Sequence, residues 1–506
     1  MLLGLLAFGC TSPKGEEPVV DPVVNDELPE DTAEDTSEEL GEYVSSRSGS
    51  QSFAFTYDRS ITAGNPLKGL LSSYLWSEPH NDLPHSLEFI YIPLNALVSG
   101  PDTYTFEAGL EPHLQAASAR GNHVVMRVFI DYPSREYGLP NYLEELVPCS
   151  PYSEYGGGCS PDYSNPHLQA AILNFISEFG ARYDGDNRLG FIQMGLLGYW
   201  GEWHTFPNTS DFASGLFQQE VIDIFDTSFQ TTPLQIRYPI QDSASRPIGF
   251  HDDSFAYSTV GDVDWYFWSK METAGAENRW MDVPTGGEVY PPIQSTLFTD
   301  AFVVGEDGQD FDSVVSITHA TYMLIYSAFS MNGTGYVDQQ LDIAKQSSLA
   351  MGYEYTIESI TVEAANLRGD LVDMKLDIAI RNSGVAPFYY PLDLSLQGPE
   401  SEHRLENIES IQPSPSDRAV LLPVEVIGIP SMNINQPWDI RLYSEVLLEN
   451  QAIHFANLEE DNGTLTVTPN FVCQYEGQEV SLGQSIDHCF CDVDGSMYAI
   501  DGSNCP

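Results

Sequence analysis

Two short stretches of this chain set a carboxylate where chemistry could be done. The first, Gly190–Pro207, begins as an apolar run and ends in Tyr199, Trp200, Gly201, Glu202, Trp203 and His204. The second, Thr285–Tyr290, places Glu288 after Gly286 and Gly287. Two carboxyls flanking one glycosidic bond can hydrolyse it: one protonates the leaving oxygen, the other attacks the anomeric carbon or activates water. A separation of about 5–5.5 Å goes with retention and about 6.5–9.5 Å with inversion. A tryptophan-walled pocket raises the acid's pKa by desolvation. Trp200 and Trp203 also offer flat apolar faces to a sugar ring.

Further polar residues end other apolar runs. Arg127 lies inside His123–Ile130 and Asp131 follows it; Arg237 and Tyr238 close Leu234–Tyr238; His251, Asp252 and Asp253 follow Ile248–Phe250. With His204, Tyr290 and His319 they form the candidate substrate contacts. Asp252, rather than Asp253, is taken for that role, because neighbours on a strand face opposite ways. Each has a plainer reading. Glu202 could be the ion partner of Arg127 or Arg237, Arg127 a buried and paired strand residue, and His204 a satisfied polar side chain. Trp265, Trp268 and Trp280 could rim the site or cap helices.

The elements that would position these residues alternate. Strand patterns fall at Asn65–Leu70, Leu87–Leu94, His123–Ile130, Gly190 onward, Leu234–Tyr238, Ile248–Phe250, Thr285–Tyr290 and within Ser316–Ala328. Between them Glu111–Arg120, Pro166–Tyr183 and Leu216–Phe225 have helical patterns, and Leu139–Leu146 has some helical character. Such alternation predicts an α/β fold, a parallel (β/α)8 barrel over 51–350, with function at the C-terminal ends of its strands. Glu202 and Glu288 then follow strands four and seven. No GxGxxG, P-loop, GxSxG or HExxH pattern occurs, so nucleotide-binding, serine hydrolase and zincin readings are poor. The reading calls for no cofactor and no metal. After Met351 helical patterns vanish, and short alternating runs predict an antiparallel, immunoglobulin-like β-sandwich over 351–468, followed by a cysteine-rich tail over 469–506.

The 506 residues carry 74 acidic and 20 basic side chains, a formal charge of −54. This excludes nucleic acid and anionic headgroups as natural partners. The start, residues 1–10, is a short apolar segment ending in Ala7, Phe8, Gly9 and Cys10, and resembles a bacterial lipoprotein signal with Cys10 as the lipidated residue; its basic leader is missing. It is too short to span a bilayer. Residues 11–50, rich in Asp, Glu, Pro, Ser and Thr, predict a disordered acidic tether. Together they predict an envelope-anchored or secreted protein. Apart from Cys10, six cysteines remain. Cys149 and Cys159 bracket a Pro/Gly/Tyr-rich insert and are expected to pair; Cys473, Cys489, Cys491 and Cys505 predict two more disulfides of open connectivity. Zinc is the rival there, although Cys489 and Cys491 lack the usual two-residue gap.

Four motifs carry a resemblance: Asn65 to Gly69 (NPLKG), Gly198 to His204 (GYWGEWH), Gly249 to Asp253 (GFHDD) and Gly286 to Glu288 (GGE). They resemble the DUF4832/DUF4874 family of exported proteins of unassigned activity, over roughly Phe53 to Leu447. The barrel also resembles the retaining (β/α)8 glycosidase clan. That resemblance implies Glu202 as acid/base and Glu288 as nucleophile. Gly201 stands where the clan usually has Asn. The expected function is hydrolysis of a glycosidic bond in a polysaccharide or oligosaccharide. The rivals are a non-catalytic glycan binder and a structural or adhesive envelope protein.

Overall fold

A computed structural model describes residues 43–75, 81–329, 335–408, 411–413 and 418–505. Cys10 and nearly all of the expected tether lie outside these residues. Eight parallel strands form one ring. In chain order they are Gly69–Leu71, Leu87–Pro93, His123–Phe129, Leu189–Gln193, Leu234–Ile236, Ile248–Phe255, Thr285–Val289 and Tyr322–Leu324. Their order around the sheet follows their order in sequence. The ring is closed by a parallel bridge between Ser72 and Glu88, with Phe89 N donating to Ser72 O at 2.8 Å.

The helical predictions hold for Glu111–Ala119, Pro166–Tyr183 and Gly215–Ser228, the last two started by side-chain caps from Asn165 and Ser214. Their apolar faces pack on the outer face of the sheet: Ile172, Phe175, Ile176 and Phe179 meet Val124, Met126 and Ile192. Leu139–Leu146 keeps only a short 3-10 turn, Asn141–Leu143. A single 3-10 turn, Ser243–Ser245, stands between the fifth and sixth strands. The last strand departs most from its prediction. Phe311–Thr318 is a helix, and His319 ends it in the left-handed conformation (φ 54°) before the strand begins at Tyr322. An apolar run of that length can serve either element.

Inside the ring, Leu67, Leu71, Leu87, Phe89, Val125, Phe191, Tyr322 and Leu324 form a core, joined from outside by Tyr390 and Val446. Tyr390 and Val446 come from the second half of the chain and plug the floor. The Tyr390 hydroxyl donates to Gly190 O at 2.7 Å. Gly286 faces this interior, where an added Cβ would lie 2.3 Å from the Tyr322 ring. The NPLKG motif binds barrel to sandwich. Asn65 exchanges two hydrogen bonds with the His454 backbone, and Lys68 Nζ donates to Leu349 O and Tyr353 O. Burial pushes the Lys68 ammonium down to about 7.

Two four-stranded antiparallel sheets form the sandwich. One holds Tyr355–Arg368, Leu371–Asn382 and Val420–Pro430; the other holds Asp393–Gln397, Glu402–Leu405, Trp438–Tyr443 and Leu465–Val467. Inward and outward residues alternate along Leu371–Asn382, as a half-buried strand requires. The first sheet has an edge strand that sequence pattern assigned elsewhere. Ser48–Ala54, read partly as tether and partly as barrel, pairs with Tyr355–Arg368 from Ser48 against Ala365 to Ala54 against Ser359. Its serines and glycine give no strong strand signal by themselves. All six cysteines among the described residues are disulfide-bonded: Cys149 to Cys159, Cys473 to Cys491 and Cys489 to Cys505. The tail is held to the first described residues by Tyr43, whose hydroxyl donates to Asp492 Oδ2 at 2.7 Å.

Candidate active site

The upper interior of the barrel is polar, and Arg127 is its centre. Third-strand residues alternate, so Val125 and Arg127 face inward while Val124 and Met126 face the helices. Arg127 is 1% exposed. Its Nε donates to Gln193 at 2.8 Å, Nη1 to the Tyr91 hydroxyl at 2.6 Å and to Glu202 Oε1 at 3.1 Å, and Nη2 to both Asp253 oxygens at 3.0 and 2.9 Å. Nη2 also reaches Gln193. A buried guanidinium needs all its donors met and its charge balanced, and here each nitrogen has partners. Gln193 passes the network to Tyr322 at 3.0 Å, and Tyr322 donates to Gln235.

Glu202 reaches this centre from an irregular loop, not from a strand. The fourth strand stops at Gln193, and just beyond it Gly195 packs so closely on the third strand that a Cβ would lie 2.0 Å from Val128 O. Leu196, Trp200 and Trp203 then adopt left-handed φ values of 72°, 54° and 60°. Such strain is stored where surrounding structure over-determines the backbone. Part of that determination is Trp203, whose indole donates to Met194 O at 2.6 Å and whose carbonyl accepts from the Tyr238 hydroxyl at 3.1 Å. Trp200 N donates to Asp131 O at 2.8 Å, tying the loop to the third strand. The Glu202 side chain keeps 13% of its surface, and His204 Nε2 lies 3.6 Å from its second oxygen.

Glu288 stands in the seventh strand, opposite Leu324, and is 9% exposed. Its hydrogen-bond partner is the Gln294 amide at 3.5 Å. Burial pushes its carboxyl well above the usual range, and the negative charges of Asp253 and Glu202 push it further; Arg127 and Gln294 offset only part. The two glutamates therefore feel one another and share one environment, and the Tyr91 and Tyr132 phenols respond to both.

The sixth strand contributes His251 and Asp253. Burial would raise the Asp253 carboxyl, but Arg127, His251 and Arg237 hold it well below the usual range. His251 is wholly buried, which lowers its imidazole to about 4 despite the Asp253 charge, and its Nε2 has no hydrogen-bond partner. Asp252 faces the other way, a correction to the sequence expectation. It is 1% exposed and holds Arg237 at 3.1 Å, Thr259 Oγ1 at 2.7 Å and Ser254 N at 3.0 Å.

Three other sequence candidates sit elsewhere than expected. Asp131 is sealed under the Cys149–Cys159 hairpin, accepting from Tyr152 at 2.5 Å and Ser160 at 3.1 Å; burial raises its carboxyl to about 6. His319 lies before the eighth strand, at the opposite end from the glutamates, stacked on Trp280 and bonded to Val385 O. Trp203 is an anchor, too buried to receive a sugar. Trp200 is half-buried and meets the Tyr155 edge at 5.0 Å; Tyr290 stacks on Tyr257 at 4.2 Å. Arg237 stays with the sixth strand, and Tyr238 braces the Glu202 loop. Tyr91 and Gln193 escaped the sequence reading, and Asp253 was set aside there in favour of Asp252. Gln193 and Tyr91 share inward parity with Phe191 and Phe89, a signal visible once an inner face is assigned. Among the described residues, no three His, Cys, Asp or Glu side chains are grouped to hold a metal ion.

No family profile matches the chain, so the DUF4832/DUF4874 resemblance rests on its four motifs alone. No curated protein matches it either. Among solved structures, endo-glycoceramidase II from Rhodococcus sp., as a lactosyl-enzyme intermediate, aligns at 11% identity over 71% of this chain and 96% of its own, with TM-score 0.38. Its ganglioside GM3 complex aligns at 9% identity over the same shares, with TM-score 0.36. GH5_18 from Streptomyces cattleya, in complex with GlcNAc, aligns at 12% identity over 52% of this chain and 70% of its own, with TM-score 0.32. The barrel itself stands on its strand order and closing bridge.

Proposed function

We propose that this protein hydrolyses a glycosidic bond in a polysaccharide or oligosaccharide, with Glu202 and Glu288 as the working carboxyls. One arrangement carries the reading: glutamates from two sides of one closed ring lie within reach of the Arg127 charge, Glu202 hydrogen-bonded to it and Glu288 pushed by burial toward its protonated form. Environments that set two carboxyls apart are what acid and base roles need. In this reading Glu202 takes the acid/base role and Glu288 that of nucleophile, as the resemblance to the retaining (β/α)8 clan implies. Burial favours the protonated form of Glu288, and attack requires that this proton leave. It must pass to Glu202 when substrate parts Glu202 from Arg127. Glu202 then protonates the leaving oxygen while the Glu288 carboxylate attacks the anomeric carbon and the C–O bond breaks. Water, losing a proton to Glu202, releases the sugar from Glu288.

Purified protein and its Glu202→Gln and Glu288→Gln variants, screened against a polysaccharide panel, test this. We expect wild-type cleavage and a loss of about 10³-fold or more in each variant. Binding without cleavage by the wild type would leave a glycan-binding protein instead. Azide added to Glu202→Ala should yield a glycosyl azide of retained configuration if Glu202 is the acid/base.

We also propose that Cys10 carries lipid and anchors the chain at the bacterial envelope. The motif and the acidic stretch behind it support this. Metabolic labelling with a fatty acid should mark the wild type and not Cys10→Ser; equal labelling of both ends the idea.

A further inference from the structure

Arg127 bears on both glutamates, bonded to Glu202 and close enough to Glu288 for its charge to count. A guanidinium is a rigid fork, so fixing one nitrogen aims the others. Asp253 takes Nη2 with both carboxylate oxygens, at 3.0 and 2.9 Å, leaving Nη1 for Tyr91 and Glu202. Its side chain is 3% exposed, too buried to serve as a sugar contact. It also lies 3.0 Å from His251 Nδ1 and 3.5 Å from Arg237 Nε. We propose that Asp253 is the positioning residue of the carboxyl pair: it fixes the far edge of Arg127, leaves Nη1 to Glu202 and Tyr91, and offsets the guanidinium's charge at Glu288.

The charged and titratable groups around Arg127 come from nearly every strand. Tyr91 belongs to the second, Tyr132 follows the third, Glu202 follows the fourth and Arg237 the fifth. His251 and Asp253 belong to the sixth, Glu288 to the seventh and Tyr322 to the eighth. Among these, Asp253 and Glu202 both touch Arg127 and raise Glu288; Asp253 is the one that grips Nη2 with both carboxylate oxygens. The inference rests on reading Glu202 and Glu288 as a catalytic pair, but its test needs no substrate.

The full chain is labelled with 13C at glutamate carboxyls, and Glu288 is identified by the resonance missing in Glu288→Gln. In Asp253→Asn, Glu288 should titrate lower by about one pH unit or more, because a like charge has gone and Arg127 is less balanced. A midpoint within about 0.3 pH unit of wild type, in a variant with native near-UV circular dichroism, overturns the proposal. If the Asn variant does not fold, Asp253→Ser, which leaves room for water against Arg127, is read the same way. A shifted Glu288 in a protein that cuts no glycan keeps the Asp253 assignment and removes the hydrolase. Hydrolysis with an unshifted Glu288 removes the assignment alone. Where hydrolysis is found, Asp253→Asn should also carry the pH profile of kcat/KM downward while KM stays within about threefold.

Discussion

Glu288 is a carboxyl whose folded environment opposes its charge, and that has a thermodynamic consequence. An unfolded glutamate loses its proton near pH 4.3. The folded carboxyl, raised first by burial and then by Asp253 and Glu202, keeps it longer. Between those two values the unfolded state binds fewer protons, so stability falls as pH rises. Glu288→Gln keeps the shape and removes the titration. Its melting temperature should match wild type near pH 4 and exceed it increasingly toward pH 8, by the equivalent of about 1 kcal/mol or more. Parallel melts of the two proteins against pH decide it; a gain that is constant or shrinks with pH would mean the carboxyl is not held neutral. At the same scale, alternation explains why Asp253 and not Asp252 meets Arg127. The rule was legible in the sequence, but which parity faces inward was not. Nothing local distinguishes two adjacent aspartates.

Two elements position the candidate site. The Glu202 loop stores left-handed backbone at three non-glycine residues and is anchored by Trp203. Beside it the disulfide-closed hairpin lays Tyr152 on Tyr199 and Tyr155 on Trp200, with ring centroids 4.4 and 5.0 Å apart. The hairpin is pinned to the third strand through Asp131. Tyr152→Phe removes one of the two side-chain donors and leaves a buried carboxyl short of a partner. The expected cost is about 1–3 kcal/mol. It should appear in denaturant melts, with faster hydrogen exchange over 149–161 and the Glu202 loop. Unchanged exchange there would make the hairpin an independent ornament. The tryptophan-rich pattern drew attention to this loop and assigned both rings to sugar. Burial separates them: one anchors the loop and the other reaches the rim.

The whole molecule is a barrel whose floor belongs to another layer. Tyr390 and Val446 enter the interior core, Asn65 and Lys68 bond across to the sandwich, and His123 Nε2 contacts Gln451 at 2.8 Å. Ser48–Ala54 crosses in the other direction to complete the sandwich. A chain cut after residue 350 should therefore lose the barrel as well, since its interior core would open to water. Expression of 43–350 is expected to give insoluble or protease-sensitive protein, where 43–506 resists; a cooperative melt from the short form would show the barrel to be self-sufficient.

The alternation of strand and helix, the parity of the cysteines, the change of texture near Met351 and the glutamates beyond one apolar run and within another all follow from local patterns. Periodicity and turn chemistry act over a few residues, so a reader of the sequence meets them directly. Only the tertiary structure decided which cysteines pair in the tail, that Ser48–Ala54 joins Tyr355–Arg368, and that His319 caps a helix far from the glutamates. It also decided that Arg127 gathers Tyr91, Gln193, Glu202 and Asp253, partners that lie 36 to 126 residues away. Such contacts are made by closing the ring, and no window along the chain holds both partners.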